Sequence, residues 1–189
     1  MALDIRKLTG LLVFLGTGQF MAGLMIAAVL TPGYDIANET ISSLGVQEAA
    51  LWFSGTVLLL GIFVLAAAYF IRTVFGSLVV TILLALTGIG AIGVAVFPAA
   101  DPLSGIHSVF SLITFVFANV TAIYAARFLR APLFHVSIIL GAIGLVALGL
   151  FVSGTYLGLG IGGMERMIVI PVLAWGIALG GHLMAGEAT

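Results

Sequence analysis

Leu78-Val-Val-Thr-Ile-Leu-Leu-Ala-Leu-Thr-Gly-Ile-Gly-Ala-Ile-Gly-Val-Ala-Val-Phe97 runs from Ser77 to Pro98 without a charged residue, an amide or a proline. A helix needs roughly 20 mostly apolar residues to cross the hydrocarbon core of a bilayer. This run meets that length and is apolar on every side. A transmembrane β-strand is about 10 residues of alternating polarity, so a barrel strand is excluded here. Five further stretches share the character of 78–97. They are 8–30, stopped by Thr31-Pro32-Gly33; 51–71, stopped by Arg72; 106–126, before Arg127; 133–157, opened after Pro132; and 167–185. The sequence therefore predicts an all-α, polytopic integral membrane protein. Residues 1–189 form a single six-helix transmembrane domain, with connections too short for a soluble one.

Composition agrees. Hydrophobic residues make up 62% of the chain and charged residues 7%, against about 25% charged in a soluble domain. That rules out a water-soluble globule, and disorder needs the opposite balance. The net charge of −1 offers no basic field to nucleic acid, so no nucleic-acid partner is expected. Without cysteine there is no disulfide, thiolate metal site or cysteine nucleophile. The apolar run after Arg6 and Lys7 exceeds the roughly 7–15 residues of a signal-peptide core and reads as a retained anchor.

Basic residues orient the bundle. Arg6, Lys7, Arg72, Arg127 and Arg130 fall on one side and Arg166 alone on the other. Positive charge stays cytoplasmic, so the expectation is a multi-pass protein of the cell membrane with both termini cytoplasmic. Glycines at small-xxx-small spacing, Gly176 with Gly180 and Gly154, Gly158 with Gly162, suggest close helix packing in lipid. The run 158–163 lacks the strand and the Lys-Ser/Thr of a phosphate loop and reads as an outer turn.

The polar residues need separate explanations. In the first outer connection Asp35 can cap a short interfacial helix. Ala37, Ile41 and Leu44 would dip into the interface, Asn38 and Ser42 would share a polar face, and Gly45 would end the helix. In the second, His107 opens the fourth span beside Asp101, with Ser111 and Thr114 on its face. An ionisable group at the membrane centre costs about 2.5–3.5 kcal/mol on insertion scales; near the rim it still needs partners. The third connection holds Glu165 and Arg166, which as neighbours cannot face each other, so Arg166 is expected to meet Asp101 or Glu39. Deeper lie Gln19 and Asn119, read as structural polar residues that can bond between helices. Pro171 should free a carbonyl and bend the sixth helix. His107 sits at one rim and His135 and His182 at the other, so neither a bis-histidine haem nor a three-histidine metal site is expected, and no cofactor.

Taken together these segments resemble a known family. Tyr34-Asp35 to Asn38 with Ile41-Ser42-Ser43-Leu44-Gly45 resembles the N-x-I-S-D-L-G signature of the membrane proteins called domain of unknown function 998. Phe97-Pro98 with Asp101 and His107 is similar to its second motif, and Gly163-Met164-Glu165-Arg166 with Trp175 to its third. Ser43 departs from the pattern, where the family often has Asp. The resemblance implies a six-helix bundle with an outward polar cluster and no established reaction.

Three functional readings follow. The first is a site at the outer bundle mouth, formed by Asn38, Ser42, Asp101, His107, Glu165 and Arg166, binding a lipid or other amphipathic small molecule. The second is a structural or accessory subunit of a membrane complex. The third is an intramembrane hydrolase, with Ser42 or Ser43 as nucleophile, His107 as base and Asp101 as its orienter, or a metal variant using His107, Asp101 and Glu165 to activate water. The partners expected are membrane lipids and a membrane-protein partner or a second copy of the chain. If the outer site exists, Asn38 or Ser42 should lie within hydrogen-bond or one-water reach of at least one of Asp101, His107, Glu165 and Arg166.

Overall fold

Residues 4–185 are described in a computed structural model. Six helices follow in order: α1 (Ile5–Val29), α2 (Ala50–Phe75), α3 (Leu78–Val96), α4 (Ser104–Ala125), α5 (Leu133–Val152) and α6 (Gly160–Ala185). Each is long and apolar enough to cross a membrane. Two short 3-10 helices, Ile41–Val46 and Ala126–Phe128, lie in the connections.

Local chemistry sets the ends. Asp4 caps α1, its side chain accepting from the Arg6 and Lys7 backbone N–H groups. Between α2 and α3, two residues do two jobs. Gly76 ends α2 in the left-handed region at φ 64°, and Ser77 caps α3 by accepting from the Val80 N–H. So tight a turn forces α2 and α3 antiparallel.

Each helix packs on its neighbours in sequence, and α6 returns to α1, so the six close into a ring. The start of α1, the end of α6 and the connections after α2 and α4 occupy one end. Residues 30–49, 97–103 and 153–159 occupy the other, here called the loop end. Glycine lets the backbones approach. A Cβ at Gly10 would come 2.7 Å from the Gly180 carbonyl oxygen, and one at Gly61 would come 2.9 Å from that of Gly88. Gly176 lies against Thr17. Gly154 and Gly158 are instead turn residues at φ 72° and 82°, with open space where a Cβ would be. Gly162 backs onto the first connection at Ile36 and Glu39.

Two boundaries differ from the sequence expectation. Helix α5 stops at Val152 instead of 157, at a Ser153-Gly154 turn, and α6 starts at Gly160 instead of 167. Glu165 and Arg166 therefore stand in the second turn of a membrane-length helix and not in a connection. The first connection is not one interfacial helix from Asp35 to Gly45. A turn at 36–39 precedes Thr40, whose extended backbone (φ −67°, ψ 158°) breaks the path and starts the 3-10 helix. Ile41 and Leu44 are buried in the bundle core instead of dipping into an interface, and Gly45 lies within the 3-10 helix, without a left-handed φ.

Candidate functional site

Inside the ring is a cavity lined by α1, α2, α3, α4, α6 and the 3-10 helix Ile41–Val46; α5 takes no part. The space between atoms here, with the open solvent at its mouth included, is about 930 Å³. Phe20, Phe53, Val57, Leu84 and Trp175 make its wall largely apolar. Ser42, Ser111 and Glu165 are polar residues toward its loop end, and Thr17, Thr87 and Asn119 are polar residues further down the wall.

Glu165 is 2% exposed. Its position, about 7.5 Å along α6 from Gly160 at ~1.5 Å per residue, would strand an unpartnered carboxyl in apolar surroundings. The first connection prevents that. Glu165 Oε2 accepts a hydrogen bond from the Ile41 N–H, and Oε1 accepts from the Ser42 hydroxyl at 3.1 Å. The carboxyl thus ties the 3-10 helix down over the cavity.

Arg166 points the other way and holds the turn before that helix. Its Nη1 donates to the carbonyls of Gly162 at 2.8 Å, Ile36 at 2.9 Å and Glu39 at 3.4 Å, and its Nη2 to the Tyr34 hydroxyl at 2.6 Å. The expected pairing with a carboxylate of Asp101 or Glu39 is absent, because backbone carbonyls and a phenol occupy the guanidinium. The Tyr34 hydroxyl in turn donates to the Thr40 carbonyl at 2.8 Å, and burial pushes its pKa above the ordinary tyrosine value.

Asp35 and Glu39 set the turn itself. Asp35 accepts from the Asn38 side-chain amide at 2.7 Å and from the backbone of Ala37 and Asn38. Glu39 accepts from the Asp35 N–H at 2.9 Å and from the Gln47 amide at 2.6 Å. The Asn38 amide holds the Asp35 carboxyl below the usual range, and the Asp35 N–H does so for Glu39. The Ala37 carbonyl then accepts from the Gly162 N–H at 2.8 Å, capping the start of α6.

The sequence-predicted residues therefore divide. Ser42, Glu165 and Arg166 meet around the first connection. Asn38 stays exposed and bonds Asp35. Asp101 is exposed and accepts from the Ser104 hydroxyl at 2.7 Å. His107 is buried, with Nδ1 2.7 Å from the Phe97 carbonyl oxygen. The hydrolase constellation is not assembled. Ser42 donates to Glu165, Ser43 donates to the Thr40 carbonyl at 2.8 Å, and neither His107 nor Asp101 bonds to either serine. The metal variant fares no better: no cluster of three or more His, Cys, Asp or Glu suited to a metal ion occurs among the described residues.

The deep amides bond separately. Gln19 ties α1 to α2 through the Thr56 carbonyl at 3.0 Å. Asn119 ties α4 to α6 through the Ile168 carbonyl at 3.3 Å, three residues before Pro171. Two participants escaped sequence reasoning as site residues. Tyr34 entered only as part of a motif, and Ser111 only as a face-mate of His107. Ser111 lines the cavity, and its hydroxyl is buried with no partner among the described residues.

No curated protein and no solved structure matches this chain. A family model does, described as "Protein of unknown function (DUF998)", over residues 14–182. That interval runs from within α1 to within α6 and takes in the loop-end residues just described, and the chain, a membrane protein with six membrane-length helices, belongs to this family.

Proposed function

We propose that the protein binds an amphipathic small molecule, a lipid or a lipid-like compound, inside the helical ring. Its apolar part occupies the cavity and its polar end lies at the loop end, beside Ser42 and Glu165. The observation that carries this reading is the cavity itself. Five of the six helices converge on an apolar space that their side chains leave open, and the one carboxyl on its wall, that of Glu165, sits near one rim. Ligand sites are of this kind, mostly apolar with a few placed polar groups. An apolar void without an occupant forfeits contacts on every side, so a binding role accounts for it better than scaffolding does.

The same reading places the site on the outer face. Arg6, Lys7, Arg72, Arg127 and Arg130 lie at the opposite end of the bundle, and the positive-inside rule makes that end cytoplasmic.

The test is to purify the protein gently and extract what comes with it. Mass spectrometry should find one amphiphile class enriched over the bulk lipid. Ala118→Phe, which puts a ring into the cavity from α4, should lose it while keeping the helical circular-dichroism signal. Equal lipid content in both proteins, matching the bulk membrane, would remove the proposal.

A further inference from the structure

Resting on the reading that the cavity holds an amphiphile, we propose that the polar end of that molecule is an amine, held as an ammonium group against Glu165, and that anionic amphiphiles are excluded. The cavity wall carries one carboxyl, that of Glu165, and no lysine, arginine or histidine. Glu165 is 2% exposed and forms no ion pair among the described residues. Arg166 follows it in the chain but spends its donors on Tyr34 and on the carbonyls of Ile36, Glu39 and Gly162. The first connection gives the carboxyl two hydrogen bonds, from the Ile41 N–H and the Ser42 hydroxyl. A carboxylate has about four acceptor sites, so about half of its capacity is unused. Burial of such a group is tolerated when its lone pairs and its charge are both met. The protein meets the lone pairs in part and brings no cation into contact.

The rest of the wall points the same way. Hydroxyls on buried helices ordinarily bond the carbonyl four residues back, and Thr17, Thr87, Thr114 and Thr121 have given up their hydrogens in this way. The Asn119 amide gives both of its hydrogens away, to the carbonyls of Phe115 at 2.8 Å and Ile168 at 3.3 Å. The Trp175 N–H goes to the Ser137 hydroxyl at 2.8 Å. Only the Ser111 hydroxyl is without a partner among the described residues. The wall therefore offers a ligand oxygen lone pairs and a single neutral donor. Asn119 Oδ1 is likewise unpartnered. It packs against Gly144 of α5, where an added Cβ would collide with it, and α5 takes no part in the cavity. The Glu165 carboxyl is thus the strongest acceptor on the wall, and it lies at the loop end, where the polar part of the amphiphile sits.

An ammonium group complements this wall on both counts. It has donors and no acceptor, and it brings the positive charge that a buried carboxylate lacks here. An alcohol brings a donor without the charge. A sulfate or phosphate brings acceptors and a negative charge to a rim that already holds a carboxyl, with one serine hydroxyl to receive it. The proton count is the same for ammonium with carboxylate as for amine with carboxylic acid, so the pairing stands whichever partner carries the proton.

Trp175 is a built-in reporter. It is 4% exposed and lines the cavity. The chain has two tryptophans, so Trp52→Phe leaves Trp175 as the sole emitter. The full-length protein carrying this change, in a non-ionic detergent at neutral pH, would be titrated with three chain-matched quenchers: dibrominated stearylamine, stearyl alcohol and stearyl sulfate. Affinities are compared as the mole fraction of quencher in the micelle, so that partitioning into detergent cancels. The amine should quench saturably and bind about tenfold more tightly than the alcohol, the size of one hydrogen bond to a charged group. The sulfate should bind most weakly. Glu165→Gln keeps the shape of the side chain and removes its charge. It should erase the tenfold advantage of the amine, whereas a general loosening of the 3-10 helix would weaken amine and alcohol alike. The order of the three quenchers with Glu165 intact decides the assignment should that variant not fold. Saturable quenching in any other order, or an advantage of the amine that survives Glu165→Gln, overturns the ammonium assignment and leaves the amphiphile site standing. Quenching that never saturates with any of the three overturns both.

Discussion

Replacing Glu165 by alanine should free the 3-10 helix Ile41–Val46 without dissolving the bundle. In the native protein the Glu165 carboxyl takes the Ile41 N–H and the Ser42 hydroxyl. Ile41 is 4% exposed and Glu165 2% exposed, so water replaces neither partner readily. A hydrogen bond to a carboxylate contributes about 1.5–3 kcal/mol, and a buried donor left unmade costs about 1–3 kcal/mol. These figures overlap, because both count the same broken bonds. Local opening of this segment should therefore become easier by about 3 kcal/mol, or roughly a hundredfold in population. Amide hydrogen exchange of a peptide spanning 41–46 would read this directly, with an α3 peptide as internal control. The expected result is about a hundredfold faster exchange in Glu165→Ala, with α3 unchanged. Glu165→Gln, which keeps one accepting oxygen, should fall between. Exchange within threefold of wild type in Glu165→Ala would refute the idea that this carboxyl holds the segment down.

Three further outcomes follow from the same structure. Gly144→Ala drives a Cβ into the Asn119 side chain, whereas a Cβ at Gly149 meets nothing within 4 Å. Thermal unfolding in detergent should show a loss of about 2 kcal/mol for the first and no loss for the second, and equal midpoints would contradict the packing account. Asp35 and Glu39 are held below their ordinary values of 3.8 and 4.5, and a lowered folded-state pKa gives stability present above the unfolded value and lost as pH falls through the folded one. Protection of residues 36–40, corrected for the intrinsic pH dependence of exchange, should hold steady down to about pH 4.5 and fall only at lower pH; a decline already complete at pH 6 would contradict the assignment. For topology, the cysteine-free chain allows Asp101→Cys and Arg130→Cys to be compared with an impermeant thiol reagent on whole cells. Labelling is expected at 101 and not at 130, and the reverse pattern would invert the proposed orientation.

The six helices were legible because hydropathy over about 20 residues is a signal that tertiary contacts do not override. Helix boundaries near charge were not. Glu165 and Arg166 read as loop residues because a carboxyl and a guanidinium inside a span look prohibitive until their partners are known. Those partners, Ile41, Ser42, Tyr34 and the carbonyls of Ile36 and Glu39, come from over a hundred positions away. The first connection shows the same limit from the other side. Its apolar spacing fitted a helix, but Thr40 is also a good cap residue, and its use as one splits the segment in two. The aim of His107 was equally hidden. Sequence placed it at a rim near Asp101, whereas the Phe97 carbonyl, one residue before Pro98, takes its Nδ1–H. Ser111 lay on the legible face of His107, yet nothing in a sequence marks a serine that declines the usual carbonyl.

The central claim is that the ring encloses a molecule whose polar end sits at the loop end, and an experimental density map of the protein in lipid nanodiscs tests it most directly. The account predicts elongated density between α1, α2, α3, α4 and α6, with one end within hydrogen-bond distance of the polar groups at Ser42, Glu165 or Ser111. A ring collapsed onto itself, or a cavity holding only isolated water-sized peaks, would contradict it.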